Sequence, residues 1–352
     1  MATGTASERH FRSGVRYLVT MKITLFFLLL ATTSVSAQWV KRNVATDASF
    51  RGLSVVSRNV VWASGTRGTV IRTTDGGKTW DLTTVPGGER LDFRDIEAFD
   101  ANTAYVLSIG NGEASRIYKT TDGGKTWKEQ FRNKDEKAFF DAIACWDSNN
   151  CLAMSDPIDG KYVFVETTDG TNWHSRNSDH HAIALTGEAA FAASGTCLIA
   201  NGKTSAFLVS GGTAARVFLS EDRGSTWAWV TTPIVKGTAG SGIFSIAMNS
   251  AKNGVLVGGN YEKPNEMTDN LAFTTDGGKV WNLAKGLSGY RSGVAYIDAK
   301  TIIAVGTSGT DISRNGGKSW KKLGTENLNA VAAKGRLAVW AVGEKGGVYK
   351  LK

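Results

Sequence analysis

Aspartate recurs at one position of a short phrase that is written six times along this chain. The phrase reads T-T-D-G-G-K-T-W at Thr73–Trp80. Further copies lie at Thr120–Trp127, Thr167–Trp173, Ser220–Trp227, Thr274–Trp281 and Ser313–Trp320; the acidic position is Asp75, Asp122, Asp169, Asp222 and Asp276, and Asn315 in the last copy. Calcium binds carboxylates, but a stable site needs several and each copy has one. We therefore predict a structural turn and no metal site, with the Asp accepting backbone N–H groups and the glycines at positive φ.

Two other carboxylates, Asp156 and Glu188, lie where the chain departs most from this repeat. A pair of carboxylates on one rim can act as general acid and base in glycoside hydrolysis. Asp156 precedes a proline, and such an Asp also begins ordinary turns, so a structural role stays open. His180 and His181 could bind a metal or act as a base. Adjacent strand residues point to opposite faces, however, and no third ligand lies nearby in the sequence, so we expect no metal there.

Arginine recurs near the start of three predicted innermost strands, after a Phe at Arg51 and Arg94 and after a Tyr at Arg291. A guanidinium binds a carboxylate through two parallel hydrogen bonds. We predict that these arginines ring the mouth of a central channel and bind an acidic peptide or another carboxylate, with His180, His181 and Tyr261 on the same face. The alternative is that they form solvated ion pairs with Asp92, Asp95 and Asp141, which would contribute little.

The elements that carry these residues follow from the spacing of the phrase. Its tryptophans are 39 to 54 residues apart, which is the period of propeller blades. Apolar and polar residues alternate before each copy, as in strands. We place each phrase between the third and fourth strands of a blade, which gives six blades: Phe50–Pro86, Phe93–Phe131, Phe139–Arg176, Ala182–Thr232, Ile243–Ala284 and Gly293–Leu323.

A seventh blade is predicted from the two ends of the chain. Asn329–Ala333, Leu337–Val342 and Gly347–Leu351 supply three strands without a phrase. Trp39–Asn43 can supply the fourth strand by pairing with Val348–Lys350, which removes both open sheet edges. The predicted fold is thus an all-β, seven-bladed propeller over residues 38–352, with Trp39 in the place of a phrase tryptophan.

The N-terminus has the features of an export signal. Lys22 precedes the apolar run Ile23–Ala31, and Val35-Ser36-Ala37 is a small-residue cleavage site. This run is too short to span a membrane. We predict a signal peptide at residues 1–37, with Met21 as an alternative start, and a soluble mature protein in the periplasm or outside the cell.

The charge content argues against a nucleic-acid partner, and the cysteine spacing suits an exported protein with a disulfide. The chain has 41 Lys and Arg against 32 Asp and Glu, without long basic runs, so we expect no nucleic-acid binding. Cys145 and Cys151 flank what looks like a hairpin tip, and in an exported protein this spacing favours a disulfide over two free thiols. Cys197 lies in an apolar strand and is expected to be buried and free.

The repeated phrase, S/T-x-D-x-G-x-T/S-W, is the Asp-box or BNR repeat. Six boxes and the predicted closure resemble the photosystem II stability/assembly factor-like family of BNR propellers over nearly all of residues 38–352. The segments Met154–Pro157 and Gly187–Thr196 are similar to a bacterial, exported branch of it. Because photosynthetic members are assembly chaperones, the resemblance implies a non-enzymatic scaffold for a protein or peptide partner. The boxes themselves identify a superfamily and not one activity.

Two other functions stay open. A sialidase-like Asp-box glycoside hydrolase would need three converging arginines above a Tyr–Glu pair. A carbohydrate-binding propeller would use aromatic rings as stacking platforms, for which the candidates are Trp62, Trp146, Trp229 and Tyr261. Because no nucleophile–base or metal constellation is visible, no catalytic residue is assigned beyond the candidates Asp156 and Glu188. We expect a monomeric binding protein without a cofactor.

Overall fold

The computed structural model describes residues 38–176 and 182–352. The predicted signal peptide, His180 and His181 lie outside the described residues. Within the described ranges, no helix has the length and apolar character that crossing a membrane requires.

Seven antiparallel sheets form the blades of a propeller, as predicted. The first three blades contain β2 (Phe50–Val55), β3 (Val61–Gly65), β4 (Thr69–Thr73) and β5 (Asp81–Thr84); β6 (Phe93–Ala98), β7 (Ala104–Ser108), β8 (Arg116–Thr120) and β9 (Lys128–Arg132); and β10 (Phe140–Cys145), β11 (Cys151–Ile158), β12 (Lys161–Thr167) and β13 (His174–Ser175). A short 3-10 helix, Gly112–Ala114, joins β7 to β8.

The next three blades follow the same order. Blade 4 contains β15 (Leu198–Asn201), β16 (Ser205–Val209), β18 (Arg216–Ser220) and β19 (Ala228–Thr231); blade 5 contains β20 (Ser241–Met248), β21 (Gly254–Asn260), β22 (Leu271–Thr274) and β23 (Asn282–Ala284); blade 6 contains β24 (Gly293–Tyr296), β25 (Ile302–Gly306), β26 (Gly309–Ser313) and β27 (Lys321–Gly324). Two short strands, β14 (Glu188–Ala189) and β17 (Gly211–Gly212), extend the blade 5 sheet along its inner edge.

Blade 7 is built from both ends of the chain. It contains β28 (Leu328–Ala333), β29 (Val339–Gly343), β30 (Val348–Leu351) and, as outermost strand, β1 (Trp39–Arg42). Val40 pairs with Lys350 in this antiparallel ladder. The Trp39 ring is buried against blade 6, where its Nε1 donates to Thr310 Oγ1 at 3.0 Å. The predicted closure and the box-like role of Trp39 are both confirmed.

Each box is a turn locked by its own side chains. Asp75 Oδ1 accepts the backbone N–H groups of Lys78 and Thr79 at 2.9 and 3.0 Å, and its Oδ2 accepts the Thr79 hydroxyl at 2.6 Å. These hydrogen bonds hold the pKa of Asp75 well below its usual range. The box tryptophan packs on the preceding blade: the Trp80 ring meets Trp340 edge to face at 5.5 Å. Both oxygens of Asp75 thus serve the turn.

Cysteine chemistry agrees with the sequence prediction. Cys145 and Cys151 form a disulfide across the hairpin between β10 and β11. Cys197 is free and buried. The disulfide closes the hairpin on the face of the ring that also carries the boxes.

Candidate binding site at the axial channel

A recurring bulge aims side chains at the axis of the ring. The pairing of the innermost strand with the second strand skips one residue near its start in five blades, at Arg51, Arg94, Asp141, Phe244 and Asn329. A bulge leaves one residue out of the ladder and turns its side chain out of the normal alternation. Four of these side chains, all except Asp141, line one cavity at the channel mouth.

Arg51 and Arg94 form the basic side of this axial cavity. They come from adjacent blades, and the charge of Arg94 is close enough to lower the pKa of Arg51, although burial is the larger cause. Arg94 Nε binds Asp92 Oδ2 at 2.8 Å. No carboxylate of the described residues lies within ion-pair distance of Arg51. A half-buried guanidinium without a counter-ion favours an anionic ligand.

Aromatic rings form the opposite wall of the axial cavity. Phe191 stacks on Phe244 with ring centroids 3.9 Å apart, and Tyr290 meets Phe244 edge to face at 4.7 Å. Tyr261, in the loop between β21 and β22, is half exposed above them, and its ring lies 6.3 Å from Phe244. The cavity has a volume of about 320 Å³, so it can take one or two side chains of a larger ligand. The combination of arginines and aromatics suits a peptide better than a small ion.

The segment Ala190–Gly195, between β14 and β15, crosses the channel and forms the floor of the cavity; we call it the strap. Arg51 Nη1 donates to Ala193 O at 3.1 Å, and Arg94 Nη1 donates to Ala192 O at 3.2 Å. On its other side, the strap lines a second cavity of about 250 Å³ with the acidic side chains of Asp95 and Glu97. The strap therefore divides the axial channel into a basic compartment and an acidic one.

The prediction that Arg291 joins this site is wrong, because of a one-residue offset. In blade 6 Gly293 pairs with Val305, just as Gly52 pairs with Ser64 in blade 1. Ser292 therefore takes the place of Arg51, and it lines the cavity, while Arg291 takes the place of the buried Phe50. Its guanidinium is fully buried and binds Asp311. The axial cavity accordingly has two arginines and not three.

The candidate acids Asp156 and Glu188 are not assembled as a catalytic pair. Both oxygens of Glu188 bind the guanidinium of Arg216, and neither residue of this ion pair is exposed. Ser210 Oγ also donates to Glu188. The carboxylate of Glu188 is thus fully engaged between β14 and β18.

Asp156 instead lies against Asp141, the bulge residue of blade 3. The two carboxyl groups are hydrogen-bonded to each other, and Asp156 Oδ1 accepts the N–H of Ala190 at 2.8 Å. Burial raises the pKa of Asp156 to about 6. Burial and the neighbouring Asp156 charge raise the pKa of Asp141 as well. Asp156 thus anchors one end of the strap through the Ala190 N–H, and both carboxyl groups of the pair have raised pKa values.

The aromatic residues considered as sugar platforms occupy different environments. Trp62 is buried, and Trp146 is partly buried and donates through Nε1 to Ser205 O at 3.0 Å. Trp229 is half exposed on the outer strand of blade 4 and packs on Arg216. Tyr261 is the candidate that reaches the axial cavity.

Sequence reasoning missed three aromatic members of the site, Phe191, Phe244 and Tyr290. Phe244 occupies the same bulge position as Arg51 and Arg94, but its apolar type hid this equivalence. Phe191 lies in the segment Gly187–Thr196, which the sequence singled out only as a family feature. Tyr290 was noted only because it precedes Arg291, and its place in the aromatic wall of the axial cavity was not predicted.

Comparison with known proteins supports the predicted family. The family model described as photosynthesis system II assembly factor YCF48 matches residues 31–135. A structure described as YCF48 bound to D1 peptide superposes with a TM-score of 0.66 at 17% identity, covering 90% of this chain and 97% of that chain. The predicted resemblance is confirmed. YCF48 from Cyanidioschyzon merolae gives a TM-score of 0.61 at 18% identity, covering 90% of this chain and 99% of that chain.

Propellers outside that family also superpose. The GH74 enzyme of Niastella koreensis gives a TM-score of 0.59 at 14% identity, covering 88% of this chain and 53% of that chain. No curated protein matches the sequence. At these identities the superpositions establish the shared fold, and function must be argued from the axial cavity.

Proposed function

We propose that this propeller is an exported, non-enzymatic scaffold that binds an acidic or carboxylate-bearing segment of a partner protein in the axial cavity. The observation that carries the proposal is the pair Arg51 and Arg94, placed side by side by equivalent bulges at the mouth of the channel. Arg51 has a backbone carbonyl as its hydrogen-bond acceptor and no ion pair among the described residues. A partner carboxylate would supply the missing charge.

The shape of the cavity supports a peptide ligand. Tyr261, Tyr290 and Phe244 offer apolar and edge-on contacts beside the arginines, and such aromatic and Arg side chains dominate peptide-binding surfaces. One propeller with the same fold is described as bound to a D1 peptide. That peptide belongs to the relative, and for this chain it supports the class of ligand only.

Export of residues 38–352 is part of the proposal. The apolar run Ile23–Ala31 and the small-residue site before Gln38 support it. The Cys145–Cys151 disulfide also supports it, because disulfides persist in oxidising compartments such as the periplasm. Fusion of residues 1–37 to a reporter that is active only outside the cytoplasm would test it, and a silent reporter would contradict export.

The binding proposal is tested with two defined probes. The acidic probe is a fluorescent peptide of alternating alanine and glutamate with a free C-terminus; the neutral probe replaces glutamate by glutamine and carries a C-terminal amide. We expect the double variant Arg51→Ala/Arg94→Ala to bind the acidic probe roughly tenfold or more weakly in fluorescence anisotropy, because each charge-assisted hydrogen bond is worth about 1.5–3 kcal/mol.

The matched control removes the same charge from the opposite face of the ring. Lys78 and Lys125 are exposed in the boxes of blades 1 and 2, so Lys78→Ala/Lys125→Ala should leave the affinity within a factor of two or so of wild type. Equal losses in the two double variants would mean diffuse charge attraction, and absence of binding by the wild type would reject the proposed ligand class.

The glycoside hydrolase alternative has one observation in its favour, the fold shared with a GH74 enzyme. The residues that line the axial cavity include no Asp or Glu. The carboxyl pair Asp141 and Asp156 lies beside the strap and not in the cavity lining. Hydrolysis of a chromogenic glycoside that disappears in Asp156→Ala would revive this alternative.

A further inference from the structure

We propose that the strap, Ala190–Gly195, is a built-in neutral competitor for the arginine pair, so that the axial cavity admits carboxylate ligands and rejects neutral peptides. The inference rests on the proposed function and assigns its selectivity to a segment of this chain. It follows from what the strap presents to the cavity, from how the strap is held, and from the chemistry of an incoming ligand.

The strap contacts the arginines and the aromatic wall with the same kinds of group that a bound peptide would offer. Consecutive carbonyls of Ala192 and Ala193 accept from Arg94 and Arg51. The Phe191 side chain, one residue earlier, stacks on Phe244 at 3.9 Å. An extended peptide ligand would use the same two kinds of contact, backbone oxygens on the guanidiniums and a ring on the aromatic wall. The strap thus occupies part of the site as a ligand would.

The strap belongs to a long crossing between blades 3 and 4 and lies outside the strands. Residues 176–197 connect β13 to β15, whereas residues 85–92 suffice to connect blade 1 to blade 2. The strap residues themselves make no ladder pairing. Their backbone is held by the Arg51 and Arg94 contacts and by the Ala190 N–H on Asp156. Because the strap lies outside the strand ladders, it costs less to displace than a strand does. The packing of Phe191 and Ala193 against Phe244 and Tyr290 adds to that cost.

Two further contacts fix the C-terminal end of the strap. Ser194 Oγ donates to Ser292 O at 2.7 Å. Gly195 has φ of 76°, and a Cβ at this position would lie 2.1 Å from Asp95 Oδ1. A side chain there must either shift the strap or break the hydrogen bonds from the Ile96 and Ile143 N–H groups that hold the Asp95 carboxyl in place. Substitutions at Ser194 and Gly195 can therefore alter the strap while Arg51 and Arg94 stay unchanged.

The selectivity follows from the kind of oxygen that each competitor offers. The strap offers neutral carbonyls, and a neutral peptide can only exchange one carbonyl for another with no gain. A carboxylate makes charge-assisted bonds to guanidinium that are about twice as strong as neutral ones. Only an anionic ligand therefore gains enough to displace the strap from the arginines.

The test compares two glycine variants with equal backbone strain. Gly195→Ala is expected to displace the strap, whereas Gly202→Ala, at φ of 65° with nothing within 4 Å of the added Cβ, imposes only the positive-φ cost. We expect Gly195→Ala to bind the neutral probe better, so that the acidic-to-neutral affinity ratio falls at least about threefold below wild type. Gly202→Ala should keep the wild-type ratio. Ser194→Ala, which removes one hydroxyl, should shift the ratio in the same direction and serves if Gly195→Ala does not fold.

A second measurement needs no peptide. Phenylglyoxal modifies accessible guanidiniums, and mass spectrometry can follow Arg51 and Arg94 individually. Both should react faster in Gly195→Ala than in Gly202→Ala. Equal reaction rates together with an unchanged affinity ratio would overturn the strap proposal. A wild type that binds neither probe, with faster modification in Gly195→Ala, would instead reject the proposed function and leave the strap as a cover of the arginines.

Discussion

Arg291 donates two hydrogen bonds to the same carboxylate oxygen of Asp311, from Nε at 2.9 Å and from Nη2 at 2.5 Å, and neither side chain is exposed. The guanidinium also binds the hydroxyls of Ser288 and Ser308. A charge buried in this way is tolerated because it is paired and hydrogen-bonded. The relationship makes Arg291 a structural residue of blade 6.

Replacement of this arginine should therefore destabilise the fold. We expect Arg291→Ala to lower the free energy of unfolding by about 3–5 kcal/mol, because it leaves the Asp311 charge buried without a partner. Denaturant unfolding measures the change, with the exposed Arg314→Ala as control. A loss in Arg291→Ala as small as in the control would show that the ion pair is not needed for stability.

Because β1 closes the ring, truncation of its buried Trp39 should strongly lower the stability of the fold. Trp39→Ala should cost about 3–5 kcal/mol, as for other buried aromatic truncations, because the ring fills the space between blades 6 and 7. The exposed neighbour Lys41 is a control on the same strand, and Lys41→Ala should change the melting temperature little. Deletion of residues 38–43 should be at least as damaging as Trp39→Ala; an unchanged melting temperature would contradict closure.

The disulfide gives a prediction about both thiol counts and stability. Native protein should show no alkylation without reduction, since Cys145 and Cys151 are bonded and Cys197 is buried. In denaturant one thiol per chain should react. Because the bridged loop is short, Cys145→Ser/Cys151→Ser should lose only about 2 kcal/mol of unfolding free energy. Three reactive thiols in denaturant would show that the bridge does not form.

The acidic compartment below the strap predicts a pH dependence of stability. Burial raises the pKa of Asp95 to about 7, against the hydrogen bonds from Ile96 and Ile143 that lower it, whereas an unfolded Asp titrates near pH 4. The folded state holds this proton more tightly, so its stabilisation is present below about pH 4 and is lost as pH rises through 7.

Substitution of Asp95 removes its titration together with its effect on Glu97, whose pKa is raised by burial and by the Asp95 charge. The stability advantage of wild type over Asp95→Asn should shrink by about 2 kcal/mol between pH 5 and pH 8. Asp156 titrates in both proteins and cancels in the difference. The exposed Asp81 provides a control, since the gap between wild type and Asp81→Asn should stay constant. A constant gap for Asp95→Asn as well would reject the proton assignment.

The repeat and the ring could be predicted from the sequence because each box combines a turn and an anchor in contiguous residues. Asp75 bonds within one turn, and Trp80 packs on one neighbouring blade. Because both residues lie in one contiguous motif, the motif can be recognised in the sequence. The pairing of β1 with β30 was also predictable, since three strands without a box left one strand missing.

The site was predictable only in part because it depends on registers and on contacts far apart in sequence. Arg51 and Arg94, two of the three arginines expected at the channel mouth, line the axial cavity. Arg291 was included because it follows a Tyr, but it lies one position before the cavity-lining residue Ser292. The pairing of Glu188 with Arg216 joins β14 to β18, 28 residues apart in sequence, and no local pattern indicates it. The strap was visible as an unusual stretch, but its course across the channel follows from tertiary packing.

Because blade 7 contains strands from both ends of the chain, the ring can close only when the C-terminal strands are present. A chain that is cut or stalled before Val348 keeps β1 with no strand to pair with, and the Trp39 ring then has no assembled blade to enter. Such a fragment exposes an open sheet edge at its N-terminal end, which is the surface that proteases and chaperones recognise. Only a molecule in which β1 has paired with β30 has a closed ring, so a truncated copy exposes a sheet edge that the complete molecule buries.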